Sequence, residues 1–402
     1  MILTTLVGSY PVPQWLTAHP SRQGLRDATA VVLHLQELAG IDLAVDGELY
    51  RFNPDHPETN GMIEYFVQPM DGVRSAIRRS DIEVFRSQSH LDFRRRPAGV
   101  VEGPIGEGTL DLVEAYRQVE DLSRAPIKFT VTSPYMLARM LLDTHYRDPA
   151  ALTLALADVL AAQVRHIGAA VIQVDEANLP GRPQDAELAA EAINRILDAV
   201  PGTPAVHLCF GNYGGQRIQS GSWAKLVGFF ERIHADHIVL ELARPGYGEL
   251  ERLRDIAPRL RLGIGVIDIK TTVVESPEEV AARIQAAAAI LGGAERIAYV
   301  HPDCGFWMLA RSIADAKIRS LVERNIPRKD IVSELDAIAS AAESRAKRFE
   351  RAKKKGDRYR ADTERALSAR VGRILFFLHH GVPAQGATDA DLQLYDLLKT
   401  VQ

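Results

Sequence analysis

Residues 171–210 read VIQVDEANLPGRPQDAELAAEAINRILDAVPGTPAVHLCF. An apolar run, Val171–Asp175, leads into a stretch of helical period, Asp185–Ala199, and then into a second apolar run, Ala205–Cys209. Continuous apolar strands that alternate with helices are parallel strands covered by those helices. The same unit recurs outward from here. Ile2–Val7, Ile41–Asp46, Ile127–Thr132, Ile238–Glu241, Leu262–Ile267 and Ile297–Val300 bring the strand candidates to eight. Helices are expected at Gly24–Ala39, Pro149–Ile167, Gly215–Ile233, Gly248–Ile256, Pro277–Ile290 and Trp307–Glu323. Eight strand–helix repeats predict a (β/α)8 TIM barrel, whose usual size is ~250 residues plus insertions. A doubly wound open sheet would show the same strand count. The absence of GxGxxG after the first strand argues against its dinucleotide-binding form.

The excursion over 51–125, after the second strand, leaves the barrel face on which active sites are built and is expected to form a cap or lid. Met62–Val67, Ile82–Phe85 and Gly99–Val101 are its strand candidates. The barrel with this insertion is expected to occupy residues 1–325. Residues 326–402 read as a helical, partly basic extension, either a solvated helix or the arm of a homo-oligomer. The chain has 402 residues, 46% hydrophobic and 25% charged, near the globular average, so it can bury a large core. A net charge of −4 lacks the basic footprint of a nucleic-acid binder. No run approaches the ~18 apolar residues of a membrane span, and the N-terminus does not read as a signal peptide. Only two cysteines occur, which excludes a disulfide-dense scaffold. A cytoplasmic protein is the expectation.

Those two cysteines carry the chemistry. Cys209 ends the fifth strand candidate with His207 two residues earlier, so both point to one face. Glu241 ends the sixth strand and Cys304 follows the eighth. On a barrel these ends converge on one mouth. Thiolate, imidazole and carboxylate form a legitimate zinc set. The alternative is a pair of inert buried thiols.

VGSYP, VDGELYR, GMIEYF, IQVDEANL, HLCF, LELAR, GIGVIDIK and HPDCG occur in this order between residue 7 and about 305. In these motifs the chain resembles the catalytic barrel of cobalamin-independent methionine synthase and its single-barrel relatives. The resemblance implies zinc held by His207, Cys209, Glu241 and Cys304, and methyl transfer to the thiol of homocysteine. It further implies that Gly8 and Ser9 bind the amino acid's carboxylate, and that Glu48 and Asp175 accept its ammonium group. Glu48 could instead pair only with Arg51, and Asp175 or its neighbour Glu176 could instead bind the other substrate. Where the family has a proton-donating His, this chain has Lys270. His301 replaces the Asn before Pro-Asp-Cys-Gly. Both are candidate catalytic residues, Lys270 as acid or anion anchor and His301 as base or partner of a ligand. The methyl donor, a folate or a corrinoid protein, is left open. Competing readings are a thiol alkyltransferase of the epoxide–coenzyme M type, a non-catalytic zinc- or thiol-binding barrel, and a decarboxylase of the uroporphyrinogen type.

Overall fold

The computed structural model describes residues 2–323, apart from 57–60, 89–93, 213–220, 255 and 257–259, and a few scattered positions beyond. Eight strands form the frame: β1 (Leu3–Thr4), β2 (Ala44–Val45), β3 (Ile127–Thr132), β4 (Val171–Glu176), β5 (Thr203–Leu208), β6 (His237–Leu240), β7 (Arg261–Ile267) and β8 (Ile297–Pro302). Each pairs in parallel with the next in the chain from β2 to β8, and β8 pairs with β1. A parallel bridge between Thr5 and Leu43 joins β1 to β2 and closes the ring. This is the (β/α)8 barrel that the alternation predicts, and closure removes the open-sheet alternative.

The helices sit where their end signals place them. Arg22–Ala39 begins at Ser21, whose side chain accepts from the Gly24 amide, and stops at Gly40 in the left-handed conformation. Pro277–Leu291 starts with a capping box of Ser276 and Glu279. Ala186–Leu197 buries Ala189, Ile193, Ile196 and Leu197, each large side chain contributing ~1.5–3 kcal/mol. The residues on the outer face of the strands are apolar (Phe129 and Val131 on β3, Ile172 and Val174 on β4), and they pack with these helices into one continuous core. Inward-facing positions differ sharply: Lys128, Thr130, Gln173, Asp175, His207, His237 and His301 are all buried. The apolar outer layer therefore supplies stability, and the inside of the barrel is free to carry polar groups.

The insertion departs from expectation. Met62–Val67 is not a strand; Glu64–Val67 is a short helix. Ile82–Phe85 lies inside the helix Arg79–Gln88, where Phe85 alone is buried. One buried residue in ten gives no alternation for a strand, and the Asp81 carboxylate accepts the Arg78 amide at the helix start. The strand expected at Gly99–Val101 is present and longer, Val100–Gly106. It pairs antiparallel with Asp71–Arg74 and parallel with Leu142–Asp143. Gly72 has a φ of 79° and its α-carbon faces the Gly103 and Pro104 carbonyls, so only glycine fits there. The helix expected over Gly215–Ile233 is seen at Val227–Arg232 after a 3-10 turn, its first part lying outside the described residues. The expected extension over 326–402 also falls almost wholly outside them. Among the described residues no helix is long and apolar enough to cross a membrane.

Candidate functional site

At the C-terminal ends of the strands lies a cavity of about 460 Å³. It gathers Ser9 after β1, Glu48 after β2, Asp175 on β4, His207 and Cys209 at the end of β5, and Cys304 after β8. The insertion contributes Gly61, Met62, Ile63 and Arg94 to its wall, the position expected of a cap.

At the sulfur end, His207, Cys209 and Cys304 present ligand atoms all within 4.8 Å of one another, and the two sulfurs are 3.8 Å apart. His207 Nδ1 lies 3.2 Å from the Val239 carbonyl, so Nδ1 carries the proton and donates. That leaves Nε2 with a lone pair, and this atom is buried without a partner. A backbone carbonyl fixing the tautomer of a ring whose other nitrogen is free is the arrangement of a metal-ligating histidine. The Cys209 thiol is pushed well up, by its hydrogen bond with Cys304 first and by burial second. Two thiolates at this spacing need a cation between them. The donor set, its convergence and the orphaned Nε2 fit a zinc ion.

Glu241 stands apart from this group. Its Oε1 is 2.6 Å from Lys270 Nζ, and its Oε2 accepts the Phe210 amide at 3.1 Å. Burial alone would lower the Lys270 pKa, but the Glu241 carboxylate outweighs it and the net shift is upward. Lys270 is therefore a cation in this arrangement, and its side chain is 2% exposed. Asp303 ties the loops together: its carboxylate accepts the amides of Leu242, Ala243 and Arg244 at 2.7–2.9 Å. The segment after Glu241 is thus held by the neighbour of Cys304. His301 does not line the cavity. It is buried, Nδ1 is 2.7 Å from the Pro302 carbonyl, and its Nε2 packs against Gly263. Burial holds its pKa down at about 3, so the ring is neutral at ordinary pH and has no proton to spare as an acid.

At the opposite end, Glu48 has a φ of 58°, strained for a residue with a side chain. The strain is held by a network: Thr130 Oγ1 donates to Glu48 Oε1 at 2.9 Å, and Arg51 Nη1 lies 3.2 Å from Oε2. Arg51 is 2% exposed and also donates to the Thr130 carbonyl and hydroxyl. Glu48 thus does pair with Arg51, and lines the cavity as well. Gly8 lies against the Glu48 carboxylate with no room for a side chain, and Gly305 lies in the same way against the Ser9 hydroxyl. Asp175 accepts from Gln173 at 2.7 Å, and burial followed by the charge of Glu48 pushes its carboxyl upward. Glu176 points its Oε1 to the amides of Asn178 and Leu179 and so organises its own loop. Asp175 is the acid that faces Glu48. Sequence reasoning missed Tyr10, Met62 and Trp307 as cavity residues; each lies in or beside a recognised motif, which was the available signal.

Residues 2–325 match the model of the family described as Cobalamin-independent synthase, Catalytic domain. A methionine synthase from Thermococcus kodakarensis is 30% identical over 353 residues, covering 82% of this chain and 95% of the relative. One from Pyrococcus furiosus is 28% identical and covers 80% and 90%. Among solved structures, a B12-independent methionine synthase from Shewanella sp. W3-18-1, in complex with selenomethionine, superposes with a TM-score of 0.68. That structure shares 23% identity and covers 83% of this chain and 100% of its own, a likeness of fold. Fold, motif order and sequence similarity over most of its length agree: the chain belongs to the cobalamin-independent methionine synthase family.

Proposed function

We propose that this chain transfers a methyl group to the thiol of homocysteine, giving methionine, with zinc held by His207, Cys209 and Cys304. One observation carries the reading: a single cavity joins a convergent imidazole and two thiols to a pair of carboxylates, Asp175 buried and Glu48 partly so. A thiol that also bears an ammonium group is the ligand whose chemistry answers both ends. When bound, zinc supplies the positive charge that keeps a substrate thiol deprotonated at neutral pH.

The residues of this chain do the rest. Glu48 and Asp175 accept hydrogen bonds from the ammonium group, and Ser9 with the Gly8 amide donates to the carboxylate. That orients the sulfur toward the donor's methyl. A sulfur lone pair forms the new S–CH3 bond, and the donor keeps the electron pair of the bond that breaks. Lys270 keeps Glu241 occupied, which leaves three protein donors, the ligand count of catalytic rather than structural zinc sites. The same pairing holds the Lys270 proton against release, the opposite of what an acid at this position needs. A sulfonate thiol such as coenzyme M would need cations where Glu48 and Asp175 stand.

The test is metal analysis of the purified chain together with methionine formation from homocysteine, using methylcobalamin and 5-methyltetrahydrofolate in parallel as donors. One zinc per chain and methionine with either donor support the reading. Zinc-free protein that still turns over would overturn the metal's role, and preference for a thiol lacking the ammonium group would overturn homocysteine.

A further inference from the structure

Lys128 is absent from the mechanism above, yet it lies directly under it. It is on β3, two residues before Thr130, so it faces the barrel interior one layer below the Glu48–Thr130–Arg51 network. It is fully buried, and its Nζ makes no hydrogen bond. An ammonium group has three donors and is among the most costly groups to bury without acceptors. An amine tolerates the same position far better. Burial lowers its pKa to about 7 against the opposing pull of Asp175 and Glu48.

The charge count above it gives this a consequence. With both carboxyls ionised, Glu48 and Asp175 carry two negative charges and Arg51 offsets one; burial and the Glu48 charge push Asp175 up to about 8, so its ionisation itself calls for a further cation. A charged Lys128 would offset the second, and the cavity would have no electrostatic demand for a cation. An uncharged Lys128 leaves the site one positive charge short. We propose that Lys128 is a specificity-determining residue: held as the neutral amine, it reserves the Glu48–Asp175 pair for the ammonium group of an amino-acid ligand. This rests on the reading of the cavity as an amino-acid site and goes beyond it, because it assigns the choice between amino and deaminated ligands to a residue that touches neither.

The experiment uses the metal-loaded full chain and calorimetric titration with L-methionine and its deaminated analogue, 4-(methylthio)butanoate. Neither needs a donor or ionises at sulfur. Lys128→Met, which is neutral at every pH, should keep methionine affinity within about threefold. Lys128→Arg, charged at every pH, should weaken methionine at least tenfold and lower the preference for methionine over the analogue by a similar factor. Because arginine is bulkier and could fail to fold, a second arm compares wild type with Lys128→Met between pH 6 and 9. The groups that act on or feel Lys128 are Glu48 and Asp175 above it, and His207 on β5, His237 on β6 and His301 on β8. Their own titrations are common to both proteins, and the part that depends on the Lys128 charge, that of Asp175 above all, enters the ratio together with Lys128. That ratio should move against wild type as the pH falls below 7, where Lys128 takes up its proton. A flat ratio, or a loss of more than tenfold in Lys128→Met at pH 8, overturns the proposal alone. Failure of wild type to bind methionine at all overturns the amino-acid reading together with it.

Discussion

The two ends of the mouth cavity are built on opposite plans. At the sulfur end three donors converge and have too few partners: His207 Nε2 has none, and the two thiols have chiefly each other. At the head-group end each carboxylate oxygen of Glu48 already has a partner, Thr130 on Oε1 and Arg51 on Oε2. The first end is a set of donors short of partners, whereas at the second the Glu48 carboxylate is already tied in and offers residual charge. Substitutions should therefore act on metal content at one end and on fold and affinity at the other.

The sharpest way to break that contrast is at the cysteines. Cys209→Ser and Cys304→Ser should each lose most bound zinc, a larger effect than the ~10–100-fold in affinity that follows loss of a ligand's outer partner. Chelation should abolish methyl transfer yet leave far-UV circular dichroism nearly unchanged, because the core is packed independently of the site. Unfolding on chelation would make the sulfur end a structural staple.

Glu48→Gln tests the other end. It leaves the buried Arg51 guanidinium without its counter-charge, a cost of ~3–5 kcal/mol. Thermal stability should fall and methionine affinity should drop at least a hundredfold, with zinc content per folded chain unchanged. Loss of zinc in this variant would show that the two ends are one coupled unit.

Asp46 probes the same end by pH. It is fully buried, accepts the Glu48 amide at 2.8 Å, and burial raises its carboxyl to about 7. The folded state therefore holds a proton that the unfolded state releases near pH 4. Stability from this group is present below about pH 4 and is lost as the pH rises to about 7, a span of roughly 4 kcal/mol. Asp46→Asn should flatten that part of the profile in urea titrations at pH 4.5 and 7.5. An unchanged slope would mean the carboxyl is ionised in place.

The smallest effect is expected from Lys270, beside the sulfur end. Lys270→Met frees Glu241 Oε1, and X-ray absorption of the zinc-loaded variant should show an added oxygen ligand. Lys270→Arg should keep the wild-type ligand set, and turnover within ~10-fold if charge is the property that matters. A collapse of turnover in both variants with an unaltered ligand set would identify Lys270 as the proton donor.

The barrel was legible because its signal is repeated: β3 and β7 start and stop within a residue of their apolar runs. His207 and Cys209 were legible through period two, and Cys304 through its place after β8. The insertion was not, since runs as short as Ile82–Phe85 do not distinguish strand from helix, and the partner strand Leu142–Asp143 is two residues long. Pairing across the chain was equally hidden. Nothing local in LELAR or VIDIK shows that Glu241 and Lys270 meet, and Lys128 reads as one polar residue inside a strand until the ring closes around it.

That closure has a mechanical consequence. β1 and β2 have two residues each, and a single bridge, Thr5 to Leu43, joins them, helped by Asp42 accepting from the Thr4 amide and hydroxyl at 2.7 Å. This is the thinnest seam in the ring, and Gly8 and Ser9 follow one of its lips as Glu48 follows the other. Amide hydrogen exchange at Leu43 should accordingly outpace exchange along the six-residue strands β4 and β5. A ligand gripped by its carboxylate on one lip and its ammonium on the other would act as a clasp. At a hundred times its dissociation constant it would add ~2.7 kcal/mol against any opening that releases it. The Leu43 amide would then exchange about a hundredfold more slowly, and the small molecule would serve as the ladder that the two shortest strands do not supply.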